Sequence, residues 1–377
     1  HDNLRRINNE LKQYKSSILI LHDRVEETFQ KLVNEYKIIS VYANEDYESD
    51  AIKRDDLVLH LLQKHGISFN TFKNQVIYSK NDISQGGTKD GKPYTIFTPY
   101  KNAWLSKFKT EDKIEVYPSE KYLDNLYKKE FRFPDLSKIG FTKGQFMVKD
   151  YNLSMIEDYA KNRDYPDVDA TTYLGPHLRF GTISIRQLVK EYGSLNETFL
   201  SELIWREFFM QIMFHFPRSE QHNFKSKYDA IKWRNNEDEF LLWCEGKTGY
   251  PIVDAGMHQL NTTGYMHNRL RMITASFLVK HLLIDWRWGE AYFAEKLLDY
   301  ELASNVGNWQ WAAGTGCDAA PYFRIFNPMT QQAKFDKNHD YILRFIPEYA
   351  PDKYINPIVE HVFARKRALD TYKTAIS

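Results

Sequence analysis

Residues Gly264–Met329 read GYMHNRLRMITASFLVKHLLIDWRWGEAYFAEKLLDYELASNVGNWQWAAGTGCDAAPYFRIFNPM. Met266, Leu270, Ile273, Phe277 and Leu278 recur near helical spacing, which predicts a mostly buried helix from Met266 to His281. Asn268, Arg271 and Met272 stand three and four positions apart and share one face of it. An amide, a fixed cation and a soft apolar contact on one face suit a single flat ligand. For Arg269 and Arg271 the alternative is a buried arginine paired with an acid among core residues.

After Lys296 the chain turns polar, with Asp299, Glu301, Ser304, Asn305 and Asn308 leading into Trp309, Gln310 and Trp311. Gly314, Gly316, Ala319 and Ala320 then allow close approach of backbone to a ligand or to another helix. The acids can accept hydrogen bonds from hydroxyl or N–H groups while Arg271 faces a phosphate or a flavin oxygen. A large planar cofactor carrying phosphates fits this set.

Three of these stretches, NRLRMITASFLVKHLLIDWR, NWQWAAGTG and DAAPYFRIFNP, resemble the flavin domain of the photolyase and cryptochrome family, closest to its bacterial class I cyclobutane pyrimidine dimer photolyases. The resemblance is dense over residues 150 to 350 and thinner at the ends. It implies a fold of an N-terminal α/β, parallel-sheet (Rossmann-like) antenna domain followed by an all-helical FAD-binding domain. The activity it implies is light-driven repair of cyclobutane pyrimidine dimers in DNA, with FAD as cofactor and damaged DNA as partner.

Residue by residue, the resemblance implies that Tyr159, Thr171, Thr172, Leu174, Arg206, Asn268, Arg271, Asp299, Glu301 and Asn305 contact FAD. Glu301 replaces the usual Asp, and Asn305 falls near the flavin N5, where an amide tunes the reduced states. TTYLGPHLRFG, Thr171–Gly181, resembles the phosphate loop, but Tyr173 and Gly175 stand where dimer photolyases carry Arg and Ser. Thr171, Thr172 and backbone N–H groups then take over more of the phosphate binding. Read alone, this is a turn-rich loop. Glu202, Trp205, Asn268, Arg269, Met272 and Trp311 match the substrate pocket, with Glu202 as the residue that stabilises the dimer radical anion. Trp309, Trp286 and Trp233 match the chain that photoreduces the flavin, although eight tryptophans in a helical domain also serve simply as packing. His267 reads as structural.

A wide aromatic beside an acid, as at Trp205 and Glu202, also suits a base taken out of the DNA stack. Glu202 and Arg206 lie one turn apart, and an intrahelical ion pair worth roughly 0.2–0.5 kcal/mol is the plainer account. Lys280, His281, Arg287 and Lys247 are candidates for the phosphate backbone or, equally, a scattered charged face. The paired-histidine motif of (6-4) photolyases is replaced here by NRLRM. The rivals are a cryptochrome-type photoreceptor without repair activity, (6-4) photoproduct repair, and a helical scaffold without cofactor.

The chain has 377 residues, enough for two domains, with 42% apolar, 27% charged and 15% aromatic residues. Its 51 basic and 50 acidic side chains give a net charge of +1, so any surface for nucleic acid has to be local. Cys244 and Cys317 are the only cysteines, without metal-type spacing, and no metal is expected. No run of eighteen apolar residues and no signal peptide are found, so the expectation is a cytoplasmic monomer with no membrane contact.

The expected domains are 1–110, α/β and antenna-type; 111–150, a linker rich in turn residues; and 151–377, helical and FAD-binding. In the first, helices are predicted at Leu4–Tyr14, Val25–Tyr36 and Ala51–Lys64. Strands are predicted at Ser17–Leu21, Lys37–Val41 and Phe69–Tyr78, with a loop at Gly86–Pro93. PYTIFTPYKNAW, Pro93–Trp104, resembles the segment ending that domain. HDN at positions 1–3 resembles the end of the family's first loop. A strand before it, and a strand and helix before LRRINNELKQY, are absent, as is part of the family pattern near Asp352. An intact mass above that of these 377 residues is therefore expected. In VYANEDYESDAIKRD, Val41–Asp55, the family's folate-binding pair falls at Asp50 and Ala51, so a second antenna chromophore is expected between the domains, its identity open.

Overall fold

The computed structural model describes residues 1–88, 91–111, 114–115 and 117–377. Positions 89 and 90 of the expected loop, and 112, 113 and 116 of the expected linker, lie outside the described residues. The N-terminal part holds α1 (Asp2–Leu11), α2 (Val25–Glu35), β1 (Ser40–Asn44), α3 (Ser49–Lys64) and β2 (Ser68–Phe72). The strands pair in parallel, from Ser40 opposite Ser68 to Asn44 opposite Phe72, with α3 as the crossover. Val58, Leu61, Leu62 and Ile67, backed by Phe29, Val33, Val41 and Phe69, form its small core.

Three strand expectations need correction, the first being Lys37–Val41, whose strand starts only at Ser40 and runs on to Asn44. Ser17–Leu21 has no regular secondary structure and belongs to no strand of the described residues. Its polar groups are taken elsewhere: Ile18 N–H donates to Asn8 Oδ1 at 2.8 Å, and Ser17 Oγ donates to the Lys129 carbonyl at 2.9 Å. The strand expected over Phe69–Tyr78 stops at Phe72, because Ile77 and Tyr78 turn their N–H groups toward a carboxylate of the helical part, Glu207.

Next comes α4 (Phe97–Thr110), whose Phe97, Tyr100 and Trp104 are buried in the core shared with the helices that follow. Residues 117–151 then run largely exposed, with short 3₁₀ turns at Ser119–Asn125 and Leu136–Ile139. After them come α5 (Tyr159–Asn162), α6 (Leu174–Arg179), α7 (Ile185–Tyr192), α8 (Glu197–His215), α9 (Glu237–Cys244), α10 (Pro251–Thr263) and α11 (Asn268–Ser276). A π-helical turn, Phe277–Leu282, extends α11. The chain closes with α12 (Trp286–Lys296), α13 (Leu302–Ala313), α14 (Pro328–Phe335), α15 (Asp340–Phe345) and α16 (His361–Ile376).

Local sequence sets the ends of these helices. Asn196, His267 and Asp285 cap α8, α11 and α12 by accepting from the first backbone N–H groups. At the end of α13, Gly314 takes the left-handed conformation, φ 81°, that closes a helix. The helix α8 is buried almost all round, leaving Glu202, Trp205 and Arg206 half-buried on one stripe. Against α8, α13 packs so closely that a Cβ at Gly307 would lie 2.2 Å from the Phe209 ring. Gly307→Ala is therefore expected to lower stability by about 1–3 kcal/mol, through overpacking, in a urea melt. An unchanged midpoint would show that the two helices can separate freely.

Candidate flavin and DNA-repair site

The helices α11, α12 and α13, with the 297–301 link, enclose a cleft of roughly 630 Å³, its open mouth included. Asn268, Arg271 and Met272 come from one face of α11, as their spacing requires, and meet Asp299, Glu301, Asn305, Trp309 and Trp311. Ala275, Phe293, Leu297, Tyr300, Ser304, Asn308 and Ala312 complete the lining; of these the sequence singled out only Ser304 and Asn308, in the polar run before Trp309. The other five gave only their position as a signal, one or two turns from residues already chosen.

Charge in the cleft is organised by Arg271. Its Nε donates to the Met266 carbonyl at 2.8 Å and its Nη2 to Asp299 Oδ2 at 2.8 Å. Burial opposes the guanidinium charge, but Asp299 outweighs it and holds the Arg271 pKa above its ordinary value. Asp299 Oδ1 and Glu301 Oε1 are buried acceptors with no partner in the protein. Two orphan carboxylate oxygens beside an arginine and two indoles are the complement of a flat ligand bearing N–H or hydroxyl donors and an anionic group. FAD has all of these, and the residues present fit it.

The remaining candidates are not among the residues that line this cleft. Glu202 Oε1 is paired with Arg163 Nη1 at 2.5 Å, and Arg269 Nη2 with Asp164 Oδ1 at 2.7 Å. Thus the expected Glu202–Arg206 ion pair does not form: Arg206 Nη1 donates instead to the Gln75 carbonyl at 2.6 Å. Arg269 also lies over the Phe335 ring and reaches Met272 Sδ at 3.8 Å, which keeps it beside the cleft. Trp205 stacks on Phe97, with centroids 3.6 Å apart and planes at 8°. Arg163 and Asp164, in a segment with little regular structure, were missed by the sequence reading.

On the loop side, Thr171 and Thr172 precede Leu174, which is buried. Burial pushes the phenols of Tyr265 and Tyr159 up to about 12, so both are neutral donors. Lys149 Nζ donates to the Tyr173 hydroxyl at 3.0 Å, placing a cation near the loop that lacks the family's Arg.

Trp309 and Trp286 are buried, and Trp233 is half-buried with its ring edge-on to Tyr372 at 6.0 Å. Trp309 meets Phe293 at 4.9 Å, and Trp286 Nε1 donates to Asn223 Oδ1 at 3.0 Å. His267 accepts from Arg269 N–H at 3.1 Å as the cap of α11, and burial takes its pKa down to about 4, so it is neutral and structural. Lys280 and His281 are corrected: both are fully buried and face no phosphate. Lys280 Nζ instead donates to the Ala313 carbonyl at 2.7 Å, where α13 ends, while Arg287 and Lys247 pair with Asp285 and Glu245.

Residues 199–351 match the family described as "FAD binding domain of DNA photolyase", and residues 1–119 that described as "DNA photolyase". A deoxyribodipyrimidine photo-lyase of Alkalihalophilus pseudofirmus is 38% identical over 412 aligned positions, covering 96% of this chain and 85% of that protein. One of Vibrio cholerae is 40% identical, covering 89% and 79%. A class III photolyase from Agrobacterium tumefaciens superposes with a TM-score of 0.84 at 33% identity, over 99% of this chain and 86% of that one. An archaeal photolyase of Sulfolobus tokodaii, solved with two FAD molecules, gives 0.81 at 32%, over 98% and 86%. A Synechocystis cryptochrome gives 0.81 at 22%, a likeness of fold alone.

This is the fold of a two-part flavoprotein, a small parallel α/β unit followed by a helical FAD-binding domain. The chain belongs to the photolyase and cryptochrome family.

Proposed function

We infer that this chain is a deoxyribodipyrimidine photo-lyase, an FAD enzyme that uses light to split cyclobutane pyrimidine dimers in DNA. The observation that carries the reading is the cleft in which Arg271, two unpartnered buried carboxylate oxygens, Asn268, Met272 and two indoles converge. When bound, reduced FAD supplies one electron to the dimer under blue or near-UV light and recovers it once the ring has split.

The chain's own residues bind, orient and shield. Arg271 offers its remaining N–H groups to an anionic or carbonyl oxygen, while Asp299 and Glu301 accept from hydroxyl or N–H donors. Tyr159, Thr171, Thr172, Leu174 and Arg206 border the rest of the cofactor. Asn268, Met272, Arg269, Trp205 and Trp311 take the wedge-shaped, largely apolar pair of linked pyrimidines, which stacks poorly in the duplex and is cheaper to flip out. We propose that Trp309, which lines the cleft, together with buried Trp286 and half-buried Trp233, carries an electron inward to return the cofactor to its active state. We place the chain with class I on its overall resemblance, and against the (6-4) subclass on the NRLRM motif. We also propose that it acts as a monomer in the cytoplasm, with domains at 1–110 and 151–377 around the 111–150 linker. The second FAD of the Sulfolobus protein supports an antenna chromophore here, its chemistry open.

Glu202 stabilises the negative charge that develops on the dimer, with Arg163 fixing its carboxylate. Glu202→Gln is expected to lower repair per absorbed photon by about 3- to 10-fold, with dimer affinity changed less than about threefold, because the lost interaction matters most in the transition state. Equal repair at saturating substrate would remove that role. The test of the function itself is a thymine-dimer oligonucleotide with reduced protein, illuminated and dark. Light-dependent recovery of thymines is expected, and flavin photoreduction without dimer loss would overturn the reading in favour of a photoreceptor.

A further inference from the structure

The stretch 147–152, at the end of the exposed run before α5, has no regular structure of its own. It is nevertheless fastened down. Among the described residues, the three hydrogen bonds that join it to distant parts of the chain all end on residues 172–177. Asn152 N–H donates to the Thr172 carbonyl at 2.9 Å, His177 Nε2 to the Lys149 carbonyl at 2.8 Å, and Lys149 Nζ to the Tyr173 hydroxyl at 3.0 Å. The Tyr151 and His177 rings also meet edge-on, 5.0 Å apart. The loop held in this way is poorly able to hold itself: residues 171–175, TTYLG, carry no charge, and Tyr173 takes the left-handed backbone conformation, φ 53°, that a Cβ disfavours. The Tyr173 hydroxyl is gripped from two sides, accepting from Lys149 and donating to Asp169 Oδ1 at 2.5 Å.

The same loop lies against the cleft. A Cβ at Gly175 would stand 2.7 Å from Asp299 Oδ2, and the Tyr173 ring packs 5.1 Å from that of Tyr265, over which Arg271 lies. A cofactor bordered by Thr171, Thr172 and Leu174 on one side and by Asp299 on the other leaves only when this loop lifts. We propose that Lys149 is a positioning residue: from the linker it clamps the 171–175 loop and so sets how fast FAD exchanges, not how tightly FAD is held. The inference rests on the flavin reading above. The three bonds join one part of the chain to another and none includes the cofactor, so they stabilise the filled and the unfilled site alike. A contact that is equal in two states leaves their equilibrium unchanged. It raises the barrier between them, because the lifted loop has lost it.

The test uses purified flavin-containing protein, without DNA and in the dark. Bound FAD carrying a label in its adenine is chased with excess unlabelled FAD to give the release rate, and equilibrium dialysis gives Kd. Lys149→Met is expected to release FAD about 5- to 10-fold faster than wild type, as for one lost hydrogen bond, with Kd changed less than about twofold. Lys149→Arg keeps a cationic donor and is expected to release FAD at the wild-type rate within about twofold. Tyr173→Phe removes the hydroxyl that Lys149 grips, so adding Lys149→Met to it is expected to bring no further acceleration.

Release from Lys149→Met at the wild-type rate would overturn the proposal. So would a Kd weakened in the same proportion as release is accelerated, because that marks a contact belonging to the filled site alone. Rates that multiply in the double variant would show that Lys149 does not act through Tyr173, with the same consequence. If Lys149→Met fails to fold, Lys149→Gln takes its place with the same expectation. Wild-type protein that binds no added FAD would instead defeat the flavin reading itself, and the inference with it.

Discussion

Arg271→Leu is expected to yield protein that has lost its flavin on purification and is less stable than wild type by about 3 kcal/mol, because a buried carboxylate is left without its cation. The two losses have different causes and can be separated. Arg271 is held on one side by Asp299 and by the Met266 carbonyl, so its remaining N–H groups are oriented into the cleft before any ligand arrives. Removing such pre-oriented, charge-assisted donors lowers FAD affinity by about 10- to 100-fold. Leucine also leaves Asp299 with both oxygens unpaired, since Oδ1 already lacks a partner in the protein. Adding Asp299→Asn to Arg271→Leu removes that stranded charge, so the double variant is expected to recover most of the stability and none of the flavin. Flavin fluorescence released on denaturation measures the first effect and a urea melt the second. An Arg271→Leu protein that keeps its full flavin content would show that the cleft does not use this cation.

How far the site could be read from sequence depended on whether its residues shared one helix. Asn268, Arg271 and Met272 did, so a period of three and four placed them together, and the structure lines one cleft with all three. Asp299, Glu301 and Asn305 were legible because five polar residues interrupt an otherwise apolar stretch. Lys149 gave no such signal: in QFMVKDYNL it looks like one more solvated lysine, and only the course of the chain back along the 171–177 loop brings it to Tyr173. Lys280 and His281 misled for the opposite reason. They are types usually found outside, but the Ala313 carbonyl at the end of α13 and the Tyr322 carbonyl give Lys280 its partners, while the His361 ring nitrogen meets His281 at 2.9 Å. In the N-terminal part, hydrophobic pattern located α2, α3 and the two strands, whereas Ser17–Leu21 failed because an apolar run becomes a strand only where a neighbouring edge is free to pair.

Glu207→Leu is expected to destabilise the protein by about 3–5 kcal/mol, the largest effect of any single change considered, and the reason lies between the two halves of the chain. The Glu207 carboxylate is 4% exposed and accepts from four donors: Ile77 N–H at 2.7 Å, Tyr78 N–H at 3.2 Å, Tyr100 hydroxyl at 3.2 Å and Trp104 Nε1 at 2.7 Å. It therefore ties α8 both to α4 and to the segment after β2, next to the Arg206 bond to Gln75. Leucine strands all four donors, each of which has lost its water. Glutamine keeps one oxygen for three of them and sets an NH₂ against Ile77 N–H, so Glu207→Gln is expected to cost about 1–3 kcal/mol. Burial pushes the Glu207 pKa up to about 7 despite those donors. Because the folded carboxyl holds its proton to a higher pH than the unfolded one, the wild type gains stability below the ordinary carboxylate range and loses it as pH rises through 7. A rise of 2.5 units corresponds to about 3 kcal/mol at most. The glutamine variant lacks this dependence. Its deficit relative to wild type should accordingly be largest near pH 5 and shrink toward pH 8 in paired urea melts. A deficit that instead stayed constant from pH 5 to pH 8 would mean that the four donors hold Glu207 ionised throughout, and that the junction is fixed by charge rather than by a shared proton.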